Sequence, residues 1–287
     1  MSDQDTSTRF IFKGADIRGN FVRISDSYRS AIAGHQYPEE IKHLLGEFLV
    51  AAQLMASTIK FEGKLTLQAK GKGAIRAVMA ETSHDGKTRA IAQLAESAQP
   101  YDFASLKDGL LAVTIAPKGR QNYQSMVPMT GDNLAACLKH YFEQSEQLGT
   151  LFHLAVEPGR AAGMLIQQLP GQLETDEKLR SEHWRTTQIL SDTLTPEELL
   201  EKDNQTILKH LFAERDIQVL GATELNFSCS CSQERMAGAL ASLGSAELEE
   251  IFREEEKVEL TCEFCSRSYK FNAATLTEIL SRNEKLH

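Results

Sequence analysis

Cysteine is scarce in this chain: 287 residues hold five. Basic charge is short as well. Thirty-one Lys and Arg stand against 40 Asp and Glu, for a net charge of −9, the wrong sign for a protein whose business is binding phosphate backbones. No long hydrophobic run is present. The most apolar stretch, FLVAAQLMA at 48–56, falls far short of the ~18–20 residues that cross a bilayer. The start, MSDQDTSTRF, lacks the basic and apolar regions of a secretory signal, so a cytoplasmic protein without membrane or nucleic-acid partners is expected. Internal repeats, low-complexity tracts, G-x-S-x-G, H-E-x-x-H and P-loop motifs are all missing, and no enzyme activity is expected. GKGAIR at 71–76 is a lone G-x-G that reads as a turn rather than a phosphate cradle.

Three segments differ in texture. Residues 1–173 read as an N-terminal mixed α/β core domain. GNFVRIS (19–25) has strand character, and after Pro38 the residues Ile41, Leu44, Leu45, Phe48, Leu49 and Ala52 recur at helical spacing. Alternating runs follow with turn signals between them, which predicts antiparallel hairpins, then a helix at NLAACLKHYFEQSEQL and a last hairpin at 151–171.

Residues 174–222 carry 17 charged residues in 49 and show no strand pattern. Thr195-Pro196-Glu197-Glu198 is a helix start, and Ile207, Leu208, Leu211 and Phe212 form one apolar stripe on a further helix. Helices with single stripes are marginal alone, so this segment is a metastable helical linker whose order is borrowed from its neighbours. Residues 223–287 form a small third segment, with 12 acids against seven Lys and Arg. The fold class is α+β, and at about 65 residues the last segment sits where a core alone is marginal and a metal staple is useful.

Four of the five cysteines fall in a window of 37 residues, as Cys229-x-Cys231 and Cys262-x-x-Cys265. Reducing compartments make clustered cysteines metal ligands or redox groups more often than structural disulfides. Two close pairs with a long segment between them can surround one tetrahedral Zn2+. Residues i and i+2 of an extended segment share a face, so Cys229 and Cys231 chelate from one side. C-x-C is an unusual half-site. Its sulfurs are close enough to oxidise to each other in a strained, labile ring. Cys137, in a predicted amphipathic helix, reads as core. His183 and His210 read as solvated helix residues, and Arg235, Arg267 and Lys270 as cations that temper a tetrathiolate.

Beyond spacing, the chain resembles the 33 kDa chaperonin family, bacterial redox-regulated heat-shock holdases. The resemblance covers nearly the full length and rests on the two cysteine motifs at this separation, on Tyr269-x-Phe271-Asn272 after them, and on KFEGKLTLQAKGKG (60–73), GDNLAACLKHYFEQSEQL (131–148) and AAGMLIQQLP (161–170). It implies one zinc in the reduced, inactive form. It further implies that oxidation forms the disulfides Cys229–Cys231 and Cys262–Cys265, ejects the metal, unfolds the linker and exposes surface for unfolded client proteins. Homodimerisation of the oxidised form stays open. Ile207, Leu208, Leu211 and Phe212 are the candidate client-binding residues. Two alternatives remain: a partner-binding protein with a constitutive zinc module, and a thiol-disulfide oxidoreductase using Cys262 and Cys265. The second is disfavoured because SRSYKF, which follows, reads as strand rather than helix.

Overall fold

The computed structural model describes residues 5–96 and 99–284. Contacts divide them into two units, the first holding residues up to Ile32 and Gln36–Ser228, the second Ala33–His35 and Cys229 onward.

The first unit begins with strands β1 (Thr6–Phe12) and β2 (Ile17–Ile24), a short helix α1 (Asp26–Ile32) and the long helix α2 (Glu39–Ala56). Then come β3 (Gly63–Lys70), β4 (Ile75–Ser83), β5 (Lys87–Leu94), β6 (Leu110–Pro117), β7 (Tyr123–Pro128), helix α3 (Leu134–Tyr141), β8 (Thr150–Glu157) and β9 (Arg160–Gln168). The GKGAIR segment lies in the β3–β4 turn, as its glycines suggest. The linker supplies α4 (Glu177–Ser191), α5 (Pro196–Glu201), α6 (Asn204–Leu211) and β10 (Ile217–Glu224), and β11 (Asn226–Phe227) closes the unit. Two sheets result: β10-β1-β2-β9-β8, antiparallel throughout, and β11-β5-β4-β3-β6-β7, in which only the β11–β5 pair is parallel.

Helix α2 packs against strands of both sheets. Twelve of its 18 residues are buried, and a helix apolar nearly all round belongs inside a core. The six residues that predicted it from spacing are each at most 5% exposed. Gly163 of β9 permits the close approach: a Cβ there would stand 2.4 Å from a Val50 methyl.

The other face of the five-stranded sheet is also apolar, and the linker covers it. Phe10, Phe12, Phe21, Met164 and Ile166 form one buried cluster with Leu199, Ile207, Leu208, Leu211 and Phe212. The rings of Phe12 and Phe212 meet edge to face, 5.0 Å between centroids. α5 starts at the Thr195-Pro196 helix start expected from sequence, and the structure adds a capping box, Thr195 accepting from Glu198 N and Glu198 reaching back to Thr195 N. One expectation is corrected. The linker is not free of strands, because β10 runs through its last residues and pairs antiparallel with β1 from Thr6↔Glu224 to Phe12↔Ile217. Propensity could not show this, since β10 is an exposed edge strand and only its partner defines it.

The second unit holds α7 (Gln233–Ala241), α8 (Ser245–Glu254), the antiparallel pair β12 (Val258–Thr261) and β13 (Ser268–Phe271), and α9 (Ala273–Glu284). Among the described residues its apolar core has four fully buried members, Ala237, Leu240, Phe271 and Leu276, with seven partly buried hydrophobics packed against them. Among the described residues no helix is long and apolar enough to cross a membrane.

The Phe12–Phe212 contact sets a measurable expectation. Phe212→Ala should destabilise the first unit by about 3–5 kcal/mol in urea unfolding of the whole protein. A double-mutant cycle with Phe12→Ala should return a coupling of about 0.5–1.5 kcal/mol.

Candidate metal centre

Each pair of cysteines is delivered by a simple local device. Cys229 and Cys231 lie on an extended segment that ends at Ser232, whose hydroxyl caps α7 by accepting from Arg235 N. The Arg235 guanidinium reaches back to Ser230 O at 3.0 Å and Ser230 Oγ at 2.7 Å, tying the C-x-C loop to the helix start. On the other side, β12 and β13 are joined by a tight turn. Cys262 N donates to Arg267 O at 2.9 Å and Ser266 N to Cys262 O at 2.8 Å. Ser266 takes a left-handed backbone conformation, φ +54°, which reverses the chain just after Cys265.

The four Sγ atoms lie within 4.8 Å of one another. Cys229 and Cys262 approach to 3.6 Å and Cys231 and Cys265 to 3.4 Å. A tetrahedron of sulfurs each ~2.3 Å from a central cation has edges of about 3.8 Å. The donor set and its spacing therefore suit a tetrahedral, thiophilic metal ion. Both of these contacts run between the two motifs, and none of the four sulfurs is in a disulfide.

Tyr269 was not singled out from sequence except as part of a motif, yet its hydroxyl donates to Cys231 Sγ at 3.0 Å. The available signal was its place on the strand leaving the C-x-x-C turn. Although burial pushes the Cys231 thiol up, donation from Tyr269 and then from the neighbouring thiols brings it down to about 7. Cys265 is pushed up to about 12, by burial first and then by its sulfur neighbours. The sulfurs thus titrate together, as one set in which hydrogen bonds favour a thiolate, while burial opposes gathering several without a cation among them.

The other sequence candidates separate. Arg267 is raised first by the Tyr269 hydroxyl and then by the Cys231 and Cys265 charges, as a tempering cation should be. Lys270 instead faces Glu259 at 3.5 Å across β12–β13. Cys137 is fully buried in the first unit, where burial pushes its thiol up, the setting of an inert core cysteine. His210 is exposed as expected, whereas His183 is half-buried with Nδ1 unpaired. Ile207, Leu208, Leu211 and Phe212 lie 1–7% exposed in the linker cluster, so this conformation presents none of them. The C-x-x-C motif leads into β13 and lacks the helix N-terminus that activates oxidoreductase thiols.

Comparison with known proteins bears on this arrangement. Residues 5–272 match the family described as Hsp33 protein. The chain belongs to the Hsp33 family. Curated relatives named 33 kDa chaperonin include one from Pseudomonas aeruginosa, 41% identical over 285 residues, covering 98% of this chain and 96% of the relative. Another from Azotobacter vinelandii is 42% identical over 287 residues with the same coverage. The crystal structure of the 33 kDa chaperonin (heat shock protein 33 homolog) from Thermotoga maritima shares the fold, with a TM-score of 0.81 over 98% of this chain and 99% of that one, at 23% identity. The protein is an Hsp33-family chaperone with four cysteines gathered at metal-binding distance.

The Tyr269 contact predicts a loss of affinity without a loss of ligands. Tyr269→Phe should weaken retention of an added thiophilic ion such as Zn2+ about 10–100-fold in a chelator competition, with all five thiols, Cys137 included, still titratable after denaturation.

Proposed function

We propose that this chaperone is a holdase switched by thiol oxidation. Its reduced, inactive form holds one Zn2+ on Cys229, Cys231, Cys262 and Cys265; its oxidised form binds unfolding proteins and prevents their aggregation. The observation that carries this reading is energetic. The four thiols converge in a unit whose fully buried apolar core, among the described residues, is small: Ala237, Leu240, Phe271 and Leu276, with the other apolar side chains packed against them only partly buried. Structural zinc contributes roughly 10–16 kcal/mol of apparent folding free energy, against about 5–15 kcal/mol for the stability of a whole domain. A unit built this way stands or falls with its metal.

The bound metal would supply one thing, a charge that keeps four sulfurs together as thiolates. Thiolates are the oxidant-sensitive form of cysteine. Hydrogen peroxide would take two electrons from the Cys229 and Cys231 thiolates, joining their sulfurs in a disulfide, and with two protons from solvent leave as two waters; a second equivalent would do the same to Cys262 and Cys265. A sulfur in a disulfide has no charge left with which to hold a cation. The unit then loses its staple and unfolds. The linker follows in this reading, since β10 is connected to Cys229 by only the short stretch 225–228. Release of α5 and α6 would expose Ile207, Leu208, Leu211 and Phe212 together with the face of Phe10, Phe12 and Phe21 that they cover. That surface is large, apolar and aromatic, which suits chains without a fixed shape. Segments 1–173, 174–222 and 223–287 thus act as core, releasable cover and redox trigger.

Zinc content, amide hydrogen exchange and suppression of aggregation of a heat-denatured client should change together on peroxide treatment. One zinc per chain should be lost. Protection should fall in α5, α6 and β10 and persist in α2 and β3–β6, and suppression should appear. Zinc retained after peroxide would favour the constitutive zinc module instead. Linker amides equally protected in an active oxidised protein would overturn the release of the linker.

The linker can also be loosened without touching a thiol. Leu208→Ser with Phe212→Ser should give partial aggregation suppression in the reduced, zinc-loaded protein, where the native chain gives none. Zinc stoichiometry should remain one.

A further inference from the structure

A second feature of the first unit is untouched by the redox reading. An open cleft of about 260 Å3 lies where β1, the end of α2, the β4–β5 turn and β10 meet. Its walls include Ser7, Arg9, Gln53, Lys60, His84 and Thr223. Two full cations and a histidine line it without a single carboxylate, in a chain where acids outnumber bases 40 to 31.

Those cations are uncommitted. Arg9 and Lys60 are exposed, and neither side chain has an ion-pair or hydrogen-bond partner among the described residues. Asp85, beside His84 in the turn, is spoken for: it pairs with Lys87 Nζ at 2.7 Å and takes the Ser83 hydroxyl. The negative end of α2 is already satisfied, because Leu54 O, Met55 O and Thr58 O accept from Ser57 Oγ, Thr58 Oγ1 and Arg18 Nη2 at 2.6, 2.7 and 2.9 Å. No free pole is left there for a cation to seek. In the shorter of its two contacts with Gly63, His84 Nδ1 accepts from the backbone N–H at 3.2 Å, which puts the ring proton on Nε2 as a remaining donor. Behind the cleft, a smaller adjoining one brings Arg18 beside Arg9. Burial first, and then the charge of Arg9, lowers Arg18 from the usual guanidinium range.

We propose that this cleft binds a small phosphate-bearing anion, with Arg9 and Lys60 supplying charge and His84 Nε2–H supplying a directional hydrogen bond. A tetrahedral oxyanion can accept from several walls at once, and the guanidinium fork matches two of its oxygens. The volume leaves room for a compact ester beyond the phosphate group. A nucleic-acid strand is excluded by the net charge of the molecule. Because Thr223 belongs to β10, an occupant bridges β1, α2 and the last strand of the linker, and its binding adds to the retention of that strand.

The full-length, reduced, metal-loaded protein should be titrated with inorganic phosphate and, separately, with glycerol 3-phosphate, each against chloride at equal ionic strength. The readout is the amide resonances of Gly63, His84 and Gly86. Saturable shifts that chloride does not reproduce are expected. Tighter binding of the free ion or of the ester identifies which source the site takes. Arg9→Gln and Lys60→Gln should each weaken binding roughly tenfold, while Lys118→Gln on the exposed β6–β7 turn leaves it unchanged. Both cleft side chains are exposed, so the remaining spectrum should superimpose on the native one. Shifts that follow ionic strength alone, or an Arg9→Gln, Lys60→Gln double variant that binds like the native chain, would overturn the proposal.

Discussion

A sheet that is apolar on both faces must be covered twice, and the five-stranded sheet draws its two covers from unequal sources. On one side lies α2, buried over twelve of its 18 residues and shared with the second sheet. On the other lie α4, α5 and α6, of which α4 buries only Thr187 and Ser191. Full apolar burial therefore falls to Leu199 and to the stripe Ile207, Leu208, Leu211 and Phe212, with Trp184, Leu190, Leu194, Leu200 and Ile217 packed against them partly buried. Each such side chain contributes about 1.5–3 kcal/mol on burial, so losing a few of them removes much of what holds the cover down. The sheet face beneath it, with Phe10, Phe12 and Phe21, is buried only while those contacts hold.

Polar hooks make up part of the difference, and they work differently from apolar contact. Asp16, almost wholly buried, accepts from the backbone N–H groups of Gln172, Leu173 and Glu174 at 3.0–3.2 Å. Burial pushes its carboxyl up, but these three donors and the Arg180 charge leave it below the usual range, so the hook is a charged one. At the α5–α6 junction, Arg23 donates to Leu200 O, Lys202 O and Asn204 Oδ1, and Arg160 shares Leu200 O. Both hooks grip backbone, so they fix where the linker sits whatever its exposed side chains are. They are directional and close to all-or-none. Sliding the linker by one residue breaks every bond at once, whereas apolar packing would yield gradually.

How much of this was legible follows from what each feature depends on. The periodicity of Ile41 to Ala52 marks a buried helix because helical spacing is local, and the hairpins announce themselves through alternation and turn residues. The four sulfurs converge as their spacing suggested, since C-x-C and C-x-x-C each fix geometry within a few bonds. Pairings between distant segments leave no such trace. Ile217–Glu224 is exposed along most of its length, so nothing in its pattern names β1 as partner. Lys270 and Tyr269 are neighbours on one strand with opposite fates, one turned to Glu259 and the other to Cys231. Period-two alternation makes that split inevitable, but which face holds the sulfurs was not written in the alternation.

The cysteine spacing also settles why exchanging one kind of cross-link for another should unfold the second unit instead of merely relabelling it. Four thiols on one cation tie residues 229–231 to residues 262–265 across a loop of some thirty residues, and closing a loop of that size is what removes entropy from the unfolded chain. In the proposed oxidised form each disulfide joins neighbours two or three residues apart. Such rings constrain almost nothing beyond themselves. The bond count at the sulfurs is preserved while the long-range constraint vanishes, and Ala237, Leu240, Phe271 and Leu276 are left to hold α7, α9 and the β12–β13 pair together. Among the described residues these four, with partly buried neighbours such as Phe252 and Ile279, make a core of the size that is marginal without a staple. In the proposed mechanism, then, moving the cross-link from distant partners to adjacent ones would by itself be enough to release the unit.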